Sequence, residues 1–482
     1  MRYFISPDHK HKIEDRLEIG PKNVLPVPSH QIDRGLFEYD LINILRAKNV
    51  TVLNNTEVTN VILDNGNHKI DFTQNENTST INSKWIIDSS GRNFFFKKKL
   101  ELNKETEHNI NAVWWRYEGV IDIEDWSTDQ KWLNKLDKGI RKLATIHLMD
   151  KGYWVWIIPQ VTGNTSIGIV ADPKIHPLHT YNSYEKSMDW LAIHEPQAYK
   201  EFKKKNYNAK NFKALKNFSY DSKQFYSKDR WAVAGEAGAF LDPFYSPGTD
   251  FIALNNTWIA NLIERDFAGE DIRMPVMLFE ITNKSLFENW VPIYNNKYAL
   301  FGNDQIMTFK IFWDWTVYWG IPSIAFVNNG YTNLNTLKRL FAKADSPIPK
   351  FAIISEKMQN FFLDWLAYDN IKLTKHYIDF IEMDFIHKLH FDLDKKMTQD
   401  ELCLQIEENL ILLEQVATYI YKIVSKEIFS LDTELNIDPY TFDLKEGKEL
   451  LLKKSAQIKD SFIPESIKND INKMWLKEAV TS

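Results

Sequence analysis

The stretch that most constrains this chain is Trp231–Phe251, followed by the apolar run Ile252–Ile263. It reads as an apolar strand over Trp231–Ala234, a turn of small residues, and a loop entering a long helix. Gly235, Ala237 and Gly238 allow backbone to approach a ligand closely. Glu236 puts a carboxylate at the carboxyl end of a strand, where open α/β sheets bind their ligands. Asp242-Pro243 and Ser246-Pro247-Gly248 shape the loop before the helix, whose first N–H groups and positive dipole end suit a polar or anionic group. On its own the pattern is also that of an ordinary strand, turn and helix.

The chain has 482 residues, 44% of them hydrophobic and 14% aromatic, with 16 Trp and 30 Phe. That is enough for two or three domains with ample cores and a roomy apolar site. The 59 Lys+Arg nearly balance the 65 Asp+Glu, which argues against a nucleic-acid binder. One cysteine, Cys403, excludes an internal disulfide and fits a reducing cytoplasm. No apolar run of about 18 residues predicts a transmembrane helix, and the first residues lack a signal-peptide pattern.

In chain order, Tyr3–Ile5 reads as a strand. From Gln31 an amphipathic helix carries Phe37, Leu41, Ile44 and Leu45 on its apolar face. Val50–Leu53, Glu57–Leu63, Ile70–Phe72 and Ser83–Asp88 read as strands, with a turn at Asp64-Asn-Gly66. The last strand ends at Ser89-Ser90-Gly91-Arg92. Ala112–Ile121, Leu143–Met149, Tyr153–Ile158 and Thr165–Val170 alternate as an antiparallel sheet packed on one face. Alternation places Trp154, Trp156 and Ile158 on one side of their strand, ahead of Pro159. Helical material over Tyr184–Lys205 and a return strand over Phe212–Tyr220 follow. Beyond Ile263 the spacing is helical: Met277–Trp290, Ile306–Trp319, Leu334–Ala342, Ile354–Trp365, His376–His390 and Glu401–Ser425. The helix around Phe309–Trp319 is apolar nearly all round and is expected to be buried in the core or to line a site. His376, His387 and His390 lack metal-pair spacing, so no metal site is expected.

Three ordered motifs and a fourth resemble one family. Gln31-x-Asp33-Arg34-x-x-Phe37-Glu38, Asp88-Ser-Ser-Gly91-Arg92 and Gly235-Glu236-Ala237…Asp242-Pro243 are similar to flavin motifs of FAD-dependent monooxygenases and flavin-dependent halogenases. Trp154-x-Trp156-x-Ile158-Pro159 is similar to the W-x-W-x-I-P motif of the halogenases, of tryptophan-halogenase type. The resemblance implies an FAD-binding fold of the p-hydroxybenzoate-hydroxylase (GR2) class, α/β in character. An antiparallel sheet insert and a helical C-terminal region would complete it. It implies cofactor contacts at Arg34, Asp88, Gly91, Gly235, Glu236, Asp242, Pro243, Pro247 and Gly248. It also implies a partition between flavin and substrate at Trp154, Trp156, Ile158 and Pro159. Glu236 stands where the family has Asp, and Ser246-Pro-Gly-Thr249 where it has S-S-G-V.

The implied chemistry is oxidation of a halide by reduced FAD and dioxygen, then electrophilic halogenation of an aromatic or carrier-bound secondary-metabolite substrate. Because no nicotinamide site is visible, reduced flavin would come from a separate flavin reductase. The implied organisation is a partial FAD domain over 1–110, the sheet insert over 111–229, the flavin-motif return over 230–265 and a helical domain over 266–482. No G-x-G-x-x-G fingerprint occurs. The sequence therefore reads as lacking the family's first βαβ unit, with poor FAD binding or none expected of these residues alone. No catalytic lysine is assigned. Two alternatives remain open: an FAD monooxygenase or dehydrogenase without halogenation, and a non-catalytic remnant that binds a partner.

Overall fold

The computed structural model describes residues 1–6, 12–25, 27, 29–205, 207–341, 343–368, 377–431, 434–459 and 461–475. The strands are β1 (Arg2–Ile5), β2 (Leu17–Ile19), β3 (Thr56–Ile62), β4 (His68–Gln74), β5 (Asn77–Ser83), β6 (Ile86–Asp88), β7 (Asn103–Lys104) and β8 (Asn111–Glu118). They continue with β9 (Ile146–Asp150), β10 (Tyr153–Pro159), β11 (Asn164–Ala171), β12 (Ala209–Leu215), β13 (Asp221–Ser222), β14 (Tyr226–Ser227), β15 (Trp231–Val233) and β16 (Tyr377–Ile378). Helices used below are α1 (Arg34–Ala47), α2 (Phe95–Lys99), α3 (Gln130–Leu133), α4 (Tyr184–His194), α5 (Pro196–Lys205), α6 (Pro247–Phe267), α7 (Arg273–Tyr294) and α8 (Asp304–Tyr318).

The largest sheet has eight strands in the order β12-β8-β11-β10-β9-β1-β2-β16. Its centre is antiparallel, as the alternation predicts, while β1 runs parallel to β9 and β16 parallel to β2. Thus β1 and β2, which the sequence reading grouped with residues 1–110, are strands of the insert sheet. On β10, Tyr153, Val155 and Ile157 face a core shared with Trp190 and Leu191 of α4. Trp154 and Trp156 face the opposite, larger core, built with the C-terminal helices. This two-sided burial follows from the period of two along a strand.

A second, three-stranded sheet has the order β14-β15-β6, with β15 parallel to β6. α6 packs next to it and carries Phe251, Leu254, Trp258 and Leu262 into the large core. α8 is buried on every side, as its uniform apolarity predicts, and its Lys310 and Asp314 pair at 2.6 Å inside it.

Three expectations are corrected. α1 forms where predicted, but it buries none of its residues; Leu36, Phe37, Leu41, Ile44 and Leu45 are all exposed. Periodicity makes an apolar face, but burial needs a facing surface, which the described residues do not supply. Val50–Leu53 is not a strand; Asn49 turns the chain in the left-handed region and the segment makes no ladder. The predicted helix from His376 to His390 begins at Asp384, preceded by β16, whose pairing with β2 takes up Tyr377 and Ile378. His376 lies outside the described residues.

Candidate active site

Parallel pairing of β6 and β15 sets Asp88 opposite Val233, so the carboxyl ends of both strands open on one side. Asp88 is buried and accepts from the backbone N–H of Ser90 (2.8 Å) and Phe96 (2.7 Å), closing the turn that carries Gly91 and Arg92. Gly91 sits at φ +59 with open space where a side chain would stand, and Gly235 turns at φ +54 beside Ile252 of α6. Arg92 lies over the rings of Tyr220 (5.0 Å) and Phe240 (5.2 Å) and 3.6 Å from the Glu236 carboxylate. Both members of that pair remain part-exposed, so either can meet a ligand.

Beneath them Lys97 donates to the carbonyls of Asp221 (2.8 Å) and Gly238 (2.9 Å), and burial lowers its pKa to about 8. Sequence reasoning missed Lys97, because a lysine in a run of three carries no sign that one of them turns inward.

The loop after Glu236 is anchored twice. Asp242, fully buried, accepts from Phe244 N–H (2.8 Å) and the Tyr298 hydroxyl (2.9 Å) and lies 2.6 Å from His108 Nε2. Tyr298 in turn accepts from Trp154 Nε1 at 3.1 Å. The Asp-Pro motif and the tryptophan motif are therefore joined through one tyrosine that belongs to neither. Further on, Tyr245 and Ser246 both take left-handed conformations, at φ 68 and φ 59. Such backbone persists only where its surroundings enforce it. Here the Tyr245 hydroxyl donates to Asp314 (2.9 Å), which also receives Lys310 (2.6 Å) and Gln359 (2.6 Å).

Pro243 continues the loop beside Asp242. Pro247 then opens α6, whose first turn has no side-chain cap, and Gly248 follows with only Phe240 near its open side. Asp250 in that turn accepts from the Tyr318 hydroxyl (3.2 Å), and burial raises its pKa to about 6.

The tryptophan wall stands across from this loop. Trp154 and Trp156 have ring centroids 5.7 Å apart. Trp154 stacks on His147 at 5.1 Å, and burial lowers the pKa of that imidazole to about 3, which keeps it neutral. Trp156 lies flat over Gly168 and donates to Ser166 Oγ at 3.0 Å. A Cβ on Gly168 would stand 2.2 Å from the indole, so only glycine fits beneath it. Ile158 is part-buried on the same side, and Pro159 borders a cavity of about 490 Å³ that Arg2, His30 and Lys142 also line.

Bonds and pairing thus bring together Asp88, Gly91, Gly235, Glu236, Asp242 and Trp154. Arg34 is not among them: it is exposed on α1 and pairs with Glu38 at 2.8 Å. Among the described residues, no group of three or more His, Cys, Asp or Glu side chains could hold a metal ion.

Known proteins are similar to this chain in sequence. The flavin-dependent halogenase chlA of Dictyostelium discoideum is 24% identical over 330 residues, covering 62% of this chain and 53% of its own. The 1H-pyrrole-2-carbonyl-[peptidyl-carrier protein] chlorinase of Pseudomonas fluorescens is 26% identical over 274 residues, covering 56% and 58%. This chain is similar in sequence to flavin-dependent halogenases. It spans a little over half the length of these two halogenase relatives. The superfamily fold is present: the halogenase PltM superposes with a TM-score of 0.57 at 14% identity, over 86% of this chain and 79% of PltM. A flavoprotein/dehydrogenase from Cytophaga hutchinsonii gives 0.52 at 15% identity, over 75% and 82%. No protein-family model matches the chain.

Proposed function

We propose that this protein acts as an FAD-dependent halogenase on an aromatic or carrier-bound substrate, with reduced flavin delivered by a separate reductase. The observation that carries the reading is the hydrogen-bonded line from Trp154 through Tyr298 to Asp242, which ties the halogenase-type wall to the flavin-type loop.

The residues fit the cofactor chemically. The uncapped start of α6 at Pro247 and Gly248 offers N–H groups to a polar ring edge or anion. Glu236 offers an acceptor for hydroxyls, and Arg92 a cation beside it. Asp88, Gly91 and Gly235 hold the two turns that present them. When bound, reduced FAD would supply the electrons that activate dioxygen, the oxidant for the halide. Trp154 and Trp156 keep substrate off the flavin face and exclude water. Asp242 and Tyr298 hold the loop and wall at a fixed separation, and His147 supports Trp154 as a neutral ring.

The test supplies FAD, NADH, a flavin reductase, dioxygen, and chloride or bromide with an aromatic substrate panel. The product mass is expected to follow the halide added. A second reading, oxidation without halide, is favoured by one observation: Asp250 places a carboxylate in the first turn of α6, where a halide would meet like charge above pH 6. A halide-independent product gaining one oxygen, or losing hydrogen, would establish that reading and overturn halogenation.

A further inference from the structure

The near-neutral total charge hides a local concentration. Between residues 200 and 216 lie seven lysines (Lys200, Lys203, Lys204, Lys205, Lys210, Lys213 and Lys216) and a single carboxylate, Glu201, in a chain of net charge −6. They lie on α5, which packs by Ala198 and Phe202 against one face of the large sheet, and on or just after β12, the edge strand of that sheet, whose Lys213 shares the other face with Trp114. Lys204 reaches Glu201, Lys205 reaches Asp125 and Lys210 pairs with Glu118. Lys200, Lys213 and Lys216 have no acidic partner among the described residues. Lysine on an edge strand also discourages edge-to-edge pairing. That purpose accounts for Lys210 and Lys213 but not for the lysines of α5 or for Lys216.

The position of this edge matters as much as its charge. Cross-strand register sets Lys213 opposite Trp114, Trp114 opposite Gly168, and Gly168 opposite Trp156. Directly paired residues share a face of the sheet. The row therefore runs from an exposed cation, over a part-buried indole and a glycine, to the wall of the candidate site. It spans three strand spacings, roughly 14 Å at about 4.8 Å each. A charged rim joined to the wall of the candidate site by the Trp114 indole suits a substrate presented on a long, thin tether by a second protein.

We propose that the lysine-bearing edge of the large sheet, at β12 and the end of α5, docks an acidic carrier domain whose thioester-tethered substrate lies along Trp114 to reach Trp156. This rests on the halogenase reading of the same site and supplies its partner surface. Charge complementarity identifies the partner as acidic protein. A nucleic acid would meet the same lysines, and the RNA arm of the test below separates the two.

The test uses the full protein and, as probe, a peptidyl-carrier protein loaded with 1H-pyrrole-2-carbonyl. Affinity is measured by fluorescence anisotropy across a salt series. The proposal expects binding that weakens as salt rises. It expects Lys203→Glu/Lys213→Glu/Lys216→Glu to lose at least tenfold in affinity and most of the salt dependence, and the matching lysine-to-glutamine variant to lose less. Trp114→Ala should raise KM for the loaded carrier more than KM for a free aromatic probe. Equal binding by all variants overturns the proposal, as does tighter binding of a short RNA than of the carrier. Halogenation of a free aromatic probe without any carrier binding overturns the docking surface alone. Salt-sensitive carrier binding without a halide-dependent product supports the surface and overturns the halogenase reading alone.

Discussion

Two regions that both carry family motifs meet opposite fates in this structure. Around Asp242 and Trp154 the motif side chains are buried and tied by hydrogen bonds to residues far away in sequence, such as Tyr298 and His108. On α1 the motif helix keeps its shape and its Asp33 cap, yet Phe37, Leu41 and Ile44 face outward and, among the described residues, Arg34 bonds along its own helix to Glu38. Local sequence is sufficient to make a helix with a cap. It is not sufficient to bury one, because most of a helix's stabilisation comes from the surface it packs against. The difference separates positions where substitution should be costly from positions where it should be silent.

The largest effect is expected at Asp242. Asp242→Ala leaves the Tyr298 hydroxyl, Phe244 N–H and His108 without their acceptor inside the core, at a cost of about 3 kcal/mol or more by urea unfolding. A loss below about 1 kcal/mol would remove the contrast with α1. Next comes Gly168→Ala, which must push Trp156 off the sheet. Overpacking of this kind costs about 2 kcal/mol, and a second change, Trp156→Leu, should recover most of it in the double variant.

Asp250 sharpens the comparison through pH. Its buried carboxyl keeps a proton up to about pH 6, whereas the unfolded chain releases it near 3.8. The folded state therefore binds more protons between those values, and this group's contribution to stability is full below about pH 3.8 and is lost as pH rises to 6. Asp250→Asn should flatten that decline, an effect on the order of 2 kcal/mol seen in unfolding curves at pH 4 and pH 7. The smallest effect belongs to α1, where Phe37→Ser or Leu41→Ser should change stability by less than about 0.5 kcal/mol.

Much of this was legible in the residues. The period of two along Tyr153–Ile158 correctly put Trp154 and Trp156 on one face, and the uniform apolarity of Phe309–Trp319 correctly marked a buried helix. Motif order singled out Asp88, Gly235 and Asp242, and the structure sets them at the ends of β6 and β15 and in the loop that follows. What was not legible depends on tertiary approach. Tyr298 lies in a short 3-10 turn with no motif around it, and only the fold brings its hydroxyl between Trp154 and Asp242. Gly168 looks like any strand glycine until Trp156 is seen above it. The lysines of residues 200–216 disappear in a balanced composition until α5 and β12 place them on one edge.

The claim at the centre of the account is that loop and wall act as one unit through Tyr298. The most direct measurement is a double-mutant cycle on stability, pairing Trp154→Phe, which removes the indole N–H, with Asp242→Asn. The account predicts a coupling of about 1 kcal/mol or more, which falls to nothing in a Tyr298→Phe background. Effects that add to within about 0.5 kcal/mol in the unaltered Tyr298 background would show that the two motifs are merely neighbours, and would contradict it.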